Sequence, residues 1–124
     1  MKKKVLILGG SSDIGIDLFK IYLDKKNYDI HIHYNSNSKF LKRFKNQCKF
    51  IKADLSHSNT KNIIKKFDDN YDVIVNLVGF INGKKFENFT IKTLEKTIRV
   101  NSLIPLLIMR KSIKKMVKKN GEEL

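Results

Sequence analysis

The sequence predicts an α/β fold in which a doubly wound parallel sheet carries helices on both faces. Three observations support this prediction: apolar runs of strand length recur along the chain, stretches of helical periodicity separate them, and a glycine-containing turn follows the first run. Strands that alternate with helices favour a parallel sheet joined by right-handed crossovers. The 124 residues are long enough for one domain with its own core.

The first predicted strand covers residues 5–8, and a turn of small residues follows it. Four consecutive apolar residues between Lys4 and Gly9 suit a strand that is buried on both faces. The period then changes to that of a helix, which should fade near residues 25–27. We expect this helix to lie on the sheet through a stripe formed by Ile14, Leu18, Ile21 and Tyr22.

A strand, a small-residue turn and a helix in this order make a candidate phosphate site. Backbone N–H groups are unpaired at a helix start, and the helix dipole favours a negative charge there. Without a Cβ, Gly9 and Gly15 allow a tight turn and a close approach of a pyrophosphate or of the packed helix. An ordinary βα turn is the alternative. A P-loop is disfavoured, because Ile16 and Asp17 stand where that motif needs Lys and Ser or Thr.

The formal net charge of +14 raises the question of a nucleic-acid partner. All 26 basic residues except Arg43, Arg99 and Arg110 are lysine, and they are dispersed along the chain. Sites that read phosphates and bases rely on arginine, so we expect no nucleic-acid partner. No apolar run reaches the roughly 20 residues of a membrane span, and the single cysteine fits a reducing compartment. We therefore expect a cytoplasmic protein without membrane contact.

The middle of the chain continues the alternation of strands and helices. An alternating run at residues 28–34 predicts the second strand, in which His31 and His33 share a face. A metal pair there is disfavoured, since no third ligand is evident. A short helix capped by Asn37 or Ser38 should reach about residue 46, and residues 48–53 should form the third strand. The following helix, capped by Ser58 or Asn59, should carry Ile63, Ile64 and Phe67.

The last part of the chain predicts one more strand and two helices. The fourth strand should cover residues 71–79, and the loop 80–89 contains an Asn82-Gly83 turn signal. Thr90 is a candidate N-cap for a helix that carries Ile91, Leu94 and Ile98 and continues to about Asn101. The final helix covers residues 103–117, with Pro105 in its first turn. Its first half is apolar all round, so the sheet and a partner subunit should cover it.

Four separated motifs resemble those of the short-chain dehydrogenase/reductase family. Residues 8–15, Leu-Gly-Gly-Ser-Ser-Asp-Ile-Gly, resemble its Thr-Gly-x-x-x-Gly-x-Gly cofactor turn. Residues 53–55, Ala-Asp-Leu, resemble the segment whose Asp contacts the adenine amino group, and residues 76–79, Asn-Leu-Val-Gly, resemble its Asn-Asn-Ala-Gly motif. Val100 and Asn101, with Pro105 following, resemble the segment that holds the catalytic Asn.

The resemblance implies a Rossmann-type fold, an NAD(P) cofactor, and hydride transfer between nicotinamide and a carbonyl or alcohol carbon of a small molecule. It implies a catalytic role for Asn101 and no metal ligand. It implies cofactor-binding roles for Gly9, Ser11, Ser12, Asp13, Ile14, Gly15, Tyr34, Asn35, Ser36, Asp54, Leu55, Asn76, Val78 and Gly79. It also suggests a homo-oligomer formed through the final helix.

Two residues depart from the family's cofactor turn. Leu8 replaces a Thr whose hydroxyl ties the turn to the segment after the fourth strand. Asp13 replaces the middle glycine and places a carboxylate at a helix N-terminus, where it can cap N–H groups or repel a phosphate, so we expect it to point outward.

The second strand ends without an acidic residue, at residues 34–37, with Lys39 nearby. NADP(H) is therefore favoured over NAD(H), because an acid at this position would repel a 2′-phosphate.

The catalytic Ser, Tyr and Lys of the family have no counterpart in this sequence, because all four tyrosines precede Asn101. Tyr22 and Lys26 match Tyr-x-x-x-Lys, but they lie on the first helix, away from the strand ends. Residues 122–124 stand where a fifth strand should begin, so we expect a sheet truncated after about four strands. The chain then represents the cofactor-binding half of a reductase, inactive alone. A stand-alone dinucleotide-binding module and a nucleic-acid binder are the alternatives.

Overall fold

The chain folds into a four-stranded sheet flanked by helices, in a computed structural model that describes residues 2–40, 42–80 and 83–119. The strands are β1 (Lys3–Leu8), β2 (Tyr28–Tyr34), β3 (Lys49–Lys52) and β4 (Val73–Asn76). The α-helices are α1 (Asp13–Asp24), α2 (Thr60–Lys65), α3 (Ile91–Ile98) and α4 (Ile104–Lys119). A 3₁₀ turn, Phe86–Asn88, precedes α3, and a π-helical segment, Arg99–Leu103, joins α3 to α4.

The strand order is β3-β2-β1-β4, and every pair is parallel. The predicted α/β fold with a doubly wound parallel sheet is therefore confirmed. The chain moves outward from β1 to β2 and β3, then crosses back to place β4 on the other side of β1. This reversal makes a topological switch point at the carboxyl ends of β1 and β4, which is where open α/β sheets bind ligands.

Both faces of β1 are buried, which explains its continuous apolar run. Leu6 and Leu8 pack on one face in a core cluster that includes Ile104 and Ile108 of α4. Val5 and Ile7 pack on the other face in a cluster with Phe19 of α1 and residues of β2. Helices thus cover the sheet on both sides, as parallel strands require.

The buried face of α1 differs from the predicted stripe. Ile14 and Ile21 are 69% and 55% exposed, whereas Gly15 and Phe19 are buried. Leu18 and Tyr22, also assigned to the stripe, do pack against the core. The contact between Gly15 and the turn sets the rotation of the helix, since residues four apart share a face.

Three other predicted elements differ from the structure. The predicted helix up to residue 46 is absent from the described residues 39–40 and 42–47, which form turns with i to i+3 bonds from Arg43 N–H to Phe40 C=O and from Gln47 N–H to Phe44 C=O. Burial of Phe40 and Phe44 in the core therefore does not require a helix. Helix α2 ends at Lys65, so Phe67 lies beyond it. Strand β4 is shorter than predicted, because the chain turns away after Asn76.

Helix α3 begins as predicted, and its junction with α4 is π-helical. The Thr90 side chain accepts a hydrogen bond from Thr93 N–H at 3.1 Å. The N–H of Ile104 donates to the carbonyl of Arg99, five residues earlier. Pro105 follows in the first turn of α4, where a missing N–H is tolerated. The Asn82-Gly83 turn signal lies partly outside the described residues.

Candidate functional site

A cleft of about 560 Å³ opens at the carboxyl ends of the four strands, at the switch point between β1 and β4. The loops that follow all four strands contribute to its walls, and Lys96 and Val100 close it from the side of α3 and the π-helical segment. Of the residues assigned to the site from sequence, those that line the cleft are Gly9, Ser11, Ser12, Asn35, Asp54, Leu55, Val78 and Gly79.

The remaining assigned residues stand around the cleft without lining it. They are Asp13, Ile14, Gly15, Tyr34, Ser36, Asn76 and Asn101. Asp13 is exposed at the start of α1, and the cap of that helix is made by Ser12, whose hydroxyl accepts from Gly15 N–H at 3.1 Å. The side chains of Asn76 and Asn101 bond to the backbone of Val78 and Phe80, which line the cleft.

The glycine turn owes its shape to two close backbone approaches. Gly9 has a φ of +71°, and a Cβ there would lie 3.0 Å from the backbone of Leu77 and Val78. At Gly15 a Cβ would lie 2.6 Å from the Cα and carbonyl oxygen of Gly10. A side chain at either position would therefore force the turn away from β4 or from the helix start.

The turn leaves backbone donors at the start of α1. Gly15 N–H and Ile16 N–H donate to the hydroxyl and the carbonyl of Ser12. Within the described ranges, no protein acceptor pairs with the N–H groups of Ser11, Asp13 or Ile14. Three such donors at the positive end of a helix dipole can hold an anion.

His33 of β2 joins the glycine turn to the end of β3. Its Nδ1 accepts from Gly9 N–H at 3.0 Å, and its Nε2 lies 2.9 Å from the carbonyl oxygen of Ala53. The backbone carbonyl of His33 accepts from Gly10 N–H at 2.9 Å. Burial lowers the pKa of His33 and so favours the neutral ring, although the bond to Ala53 acts in the opposite direction.

The segment after β3 presents a carboxylate held by its own loop. The Oδ1 of Asp54 accepts from the hydroxyl and the N–H of Ser56, at 2.6 and 2.9 Å. These two bonds hold the pKa of Asp54 below its usual value, and the charges of Lys96 and His57 add to the effect. Asp54 lines the cleft, and no described residue bonds to its other oxygen, Oδ2, so the carboxylate keeps an acceptor.

Backbone contacts make the link between the turn and β4 that Leu8 cannot make through a hydroxyl. Leu77 N–H donates to the carbonyl of Leu8 at 2.9 Å, and the Leu8 side chain is fully buried in the core. Asn76 Oδ1 accepts from Val78 N–H at 3.0 Å, which turns the chain out of β4 and toward the cleft.

Asn101 braces the same loop from the π-helical segment. Its Oδ1 accepts from Phe80 N–H at 2.7 Å, and its Nδ2 donates to Phe80 C=O at 2.9 Å. Lys96 lies over the Phe80 ring, 4.6 Å from its centroid. Pro105 cannot donate to the carbonyl of Asn101, four residues earlier, because proline has no N–H.

Several residues that line the cleft were not assigned to the site from the sequence. His33, Ser56, Leu77, Phe80 and Lys96 all line the cleft without having been assigned to it. The position of His33 near the end of an alternating strand was a usable signal, because it places the ring at the edge where the loops meet. Lys96 carried no such signal, since most lysines of this chain are exposed.

Arg99 also contributes beyond what the sequence indicated. Its guanidinium donates to the carbonyls of His57 and Ser58, at 3.0 and 3.2 Å, and to the Thr60 hydroxyl. The arginine therefore fixes the loop between β3 and α2 to the helical junction that carries Asn101.

The sequence match Tyr22-x-x-x-Lys26 lies away from the cleft. Both residues belong to the carboxyl end of α1 and the turn after it, and the Tyr22 ring packs edge-on against Tyr28, at the start of β2.

His31 bonds to the Tyr71 hydroxyl at 2.8 Å through Nδ1. Among the described residues, no three His, Cys, Asp or Glu side chains cluster closely enough to hold a metal ion. The described helices include none with the length and apolar character to cross a membrane.

The comparison with family models identifies one family. The family model described as short chain dehydrogenase matches residues 3–122. No curated protein sequence matches significantly. Similar solved structures include the NADPH-bound carbonyl reductase from chicken fatty liver, with 14% identity, a TM-score of 0.74, and coverage of 98% of this chain and 52% of the other.

Two further structures show the same fold. A bulky-bulky ketone specific alcohol dehydrogenase from Comamonas testosteroni is 14% identical with a TM-score of 0.75, covering 94% of this chain and 51% of the other. A short chain dehydrogenase family protein from Francisella tularensis is 21% identical with a TM-score of 0.70, covering 97% and 47%. The chain spans about half the length of these structures. By the family match over nearly its whole length, the chain belongs to the short-chain dehydrogenase/reductase family.

Proposed function

We propose that the chain is the dinucleotide-binding part of an NADP(H)-dependent oxidoreductase, forming a single NAD(P)-binding domain over residues 1–124. The observation that carries this proposal is that, within the described part of the chain, no protein acceptor pairs with the N–H groups of Ser11, Asp13 and Ile14, which lie beside a cleft at the switch point of the sheet. A pyrophosphate placed there would receive backbone hydrogen bonds and the favourable end of the α1 dipole.

The other walls of the cleft suit the remaining parts of a dinucleotide. The Asp54 carboxylate can accept from the amino group of adenine, and Leu55 follows it in the wall. Val78 and Gly79 offer a backbone surface for a ribose, and a Cβ added at Gly79 would meet nothing within 4 Å. Asn76 acts through the Val78 N–H that it holds. In this proposal Tyr34, Asn35 and Ser36 border the adenosine ribose.

The preference for NADP(H) rests on the end of β2. Asn35, Ser36 and Asn37 are exposed polar residues there, and the exposed cation Lys39 follows. No acidic residue occupies residues 34–39 to repel a 2′-phosphate. The carbonyl reductase from chicken fatty liver, which shares the fold, has NADPH bound.

When bound, the nicotinamide supplies or accepts the hydride exchanged with a carbonyl or alcohol carbon of a small-molecule substrate. Asn101 is the residue of this chain to which we assign a role near the reaction. Its side chain is already paired with the backbone of Phe80. Pro105 has no N–H to donate to the main-chain carbonyl of Asn101, so this carbonyl is the group that could hold a water. We propose that the Ser, Tyr and Lys of the family are supplied by further sequence, and that residues 1–124 alone do not reduce carbonyls.

The final helix offers a surface for a second copy of the chain. Leu103, Leu106, Met109 and Ile113 are exposed on α4 or immediately before it, Leu106 by 60%. Apolar side chains on one helix suit a subunit interface, and we propose a homo-oligomer formed there. The single cysteine, Cys48, supports a cytoplasmic location, and the dispersed lysines support the absence of a nucleic-acid partner.

Titration with NADPH and NADH by intrinsic or cofactor fluorescence tests this proposal. We expect saturable binding of both, with NADPH tighter. Lys39→Ala should reduce the preference, while Lys42→Ala, another exposed lysine nearby, serves as the matched control. Equal affinity for the two dinucleotides would overturn the preference, and absence of binding would overturn the proposed function. Binding to duplex DNA that survives about 0.2 M salt would favour the nucleic-acid alternative.

A further inference from the structure

The ring of His33 uses both of its nitrogens to connect two walls of the cleft. The side chain is buried, with 3% of its surface exposed. Nδ1 lies 3.0 Å from the Gly9 nitrogen at the start of the turn, and Nε2 lies 2.9 Å from the Ala53 oxygen, one residue before Asp54. One imidazole therefore spans from the phosphate side of the cleft to the adenine side.

The partners of the ring determine its tautomer. Gly9 N–H can only donate, so Nδ1 must accept, and the proton of the neutral ring must then sit on Nε2. That proton points to the Ala53 carbonyl, which can only accept. A protonated ring would set an N–H against the Gly9 N–H and break this arrangement. The positive charge of Lys66, the residue after α2, also lowers the pKa of His33.

His31 provides an internal comparison, because it lies on the same face of β2, two residues earlier. It too is buried, with 4% of its surface exposed, but its Nδ1 bonds to the Tyr71 hydroxyl, and its Nε2 is 3.6 Å from a carboxylate oxygen of Asp29. Neither partner lines the cleft. The two histidines thus share burial, strand and face but differ in what they hold.

We propose that His33 is a positioning residue, which fixes the glycine turn relative to the Ala53–Asp54 end of β3 so that the phosphate donors and the adenine acceptor fit one dinucleotide. This inference rests on the proposed function for the identity of the ligand. The geometric part, that His33 holds the turn, stands on the contacts alone. Among the described residues, no other side chain bonds both to the glycine turn and to the Ala53–Asp54 segment.

The experiment compares three variants of the 124-residue chain: His33→Phe, His33→Asn and, as matched control, His31→Phe. His33→Phe should weaken NADPH binding at least about fivefold and accelerate amide exchange at Gly9, because a buried donor loses its acceptor. His33→Asn should recover part of both effects, since its amide oxygen can accept from Gly9. His31→Phe should change NADPH affinity less than about twofold, since its contacts lie outside the cleft.

Equal weakening by His33→Phe and His31→Phe would overturn the inference, as would unchanged NADPH affinity in His33→Phe. If the unsubstituted chain binds no dinucleotide, the proposed function fails, and Gly9 exchange alone then decides whether His33 holds the turn. If His33→Phe does not fold, the ring nitrogens of His33 in the unsubstituted chain can be read by NMR. A proton on Nε2 between about pH 6 and 8 supports the inference, and a proton on Nδ1 in that range contradicts it.

Discussion

The side-chain amide of Asn101 pairs with both backbone polar groups of Phe80, accepting from its N–H at 2.7 Å and donating to its C=O at 2.9 Å. Asn101 lies in the π-helical segment, and Phe80 lies in the loop that follows β4. A single side chain therefore fixes one wall of the cleft to the helical layer, so its removal should be visible in stability as well as in binding.

Asn101→Ala should lower the free energy of unfolding by about 1–3 kcal/mol, because two half-buried backbone groups lose their partners. Denaturant unfolding measures this loss. Asn101→Asp keeps an acceptor for Phe80 N–H but sets a carboxylate oxygen against Phe80 C=O, so it should not restore the stability of the unsubstituted chain. Ser102→Ala, at the exposed neighbouring residue, is the control. If the Asn101→Ala chain unfolds like the Ser102→Ala chain, the pairing with Phe80 does not stabilise the fold.

The stability of the chain should fall as the solution is acidified below about pH 6.5, the pKa of an unperturbed histidine. Burial lowers the pKa values of His31 and His33 in the folded state, so the unfolded state binds more protons in this range. The stability that the two neutral histidines contribute is complete above about pH 6.5 and is lost as the pH falls through their pKa values in the folded state. Urea unfolding between about pH 7.5 and 5 checks the direction; a midpoint that stays constant or rises on acidification would contradict it.

Gly15→Ala should destabilise the fold by about 1–3 kcal/mol, because a Cβ would overlap the backbone of Gly10, which cannot move like a flexible side chain. This loss should exceed the gain in helix propensity that alanine normally brings. Gly79→Ala is the matched control: a Cβ there meets nothing within 4 Å, so its effect should stay within about 0.5 kcal/mol. Thermal or chemical unfolding compares them, and equal stability of the two variants would show that the turn can shift.

Asp13→Gly should leave the affinity for NADPH unchanged or raise it. The Asp13 carboxylate is exposed at the start of α1, near donors that the proposed pyrophosphate would use, and the helix is capped by Ser12 instead. Removing a negative charge near a phosphate cannot weaken its attraction. Asp17→Gly, at an exposed residue one turn further along, controls for the glycine itself. A tenfold loss in a cofactor titration specific to Asp13→Gly would show that Asp13 contributes to binding.

Local patterns predicted much of the fold. Strand β2 has the predicted bounds because its alternation is unbroken, and Asn59 and Thr90 are the observed caps because their side chains can accept from the N–H three residues on. The face of α1 was missed, since apolar residues occur on several of its faces and the close contact of Gly15 with Gly10 decides which one is buried. That contact joins the start of α1 to the glycine turn, and no periodic pattern of apolar residues indicates it.

The loops that surround the cleft follow motifs identified in the sequence, whereas the residues that support these loops were not identified. The turn, the segment after β3 and the segment after β4 were identified from their motifs, and the residues of these segments surround the cleft. His33 and Arg99 hold those loops by contacts with residues 20 or more positions away along the chain. Such contacts follow from the packing of the sheet and its helices, which no local pattern encodes.

The most direct test of the account is a titration of the ¹⁵N-labelled chain with NADPH, followed by the amide signals of individual residues. We predict saturable shifts that concentrate at Ser11, Asp13, Ile14 and Gly79, with signals at the opposite edge, such as Asp29, unchanged. Repeating the titration at about 0.3 M salt should preserve this pattern, because the contacts are directional. Shifts spread over the exposed lysines and abolished by salt, or no shifts at all, would contradict the assignment of this cleft to a dinucleotide.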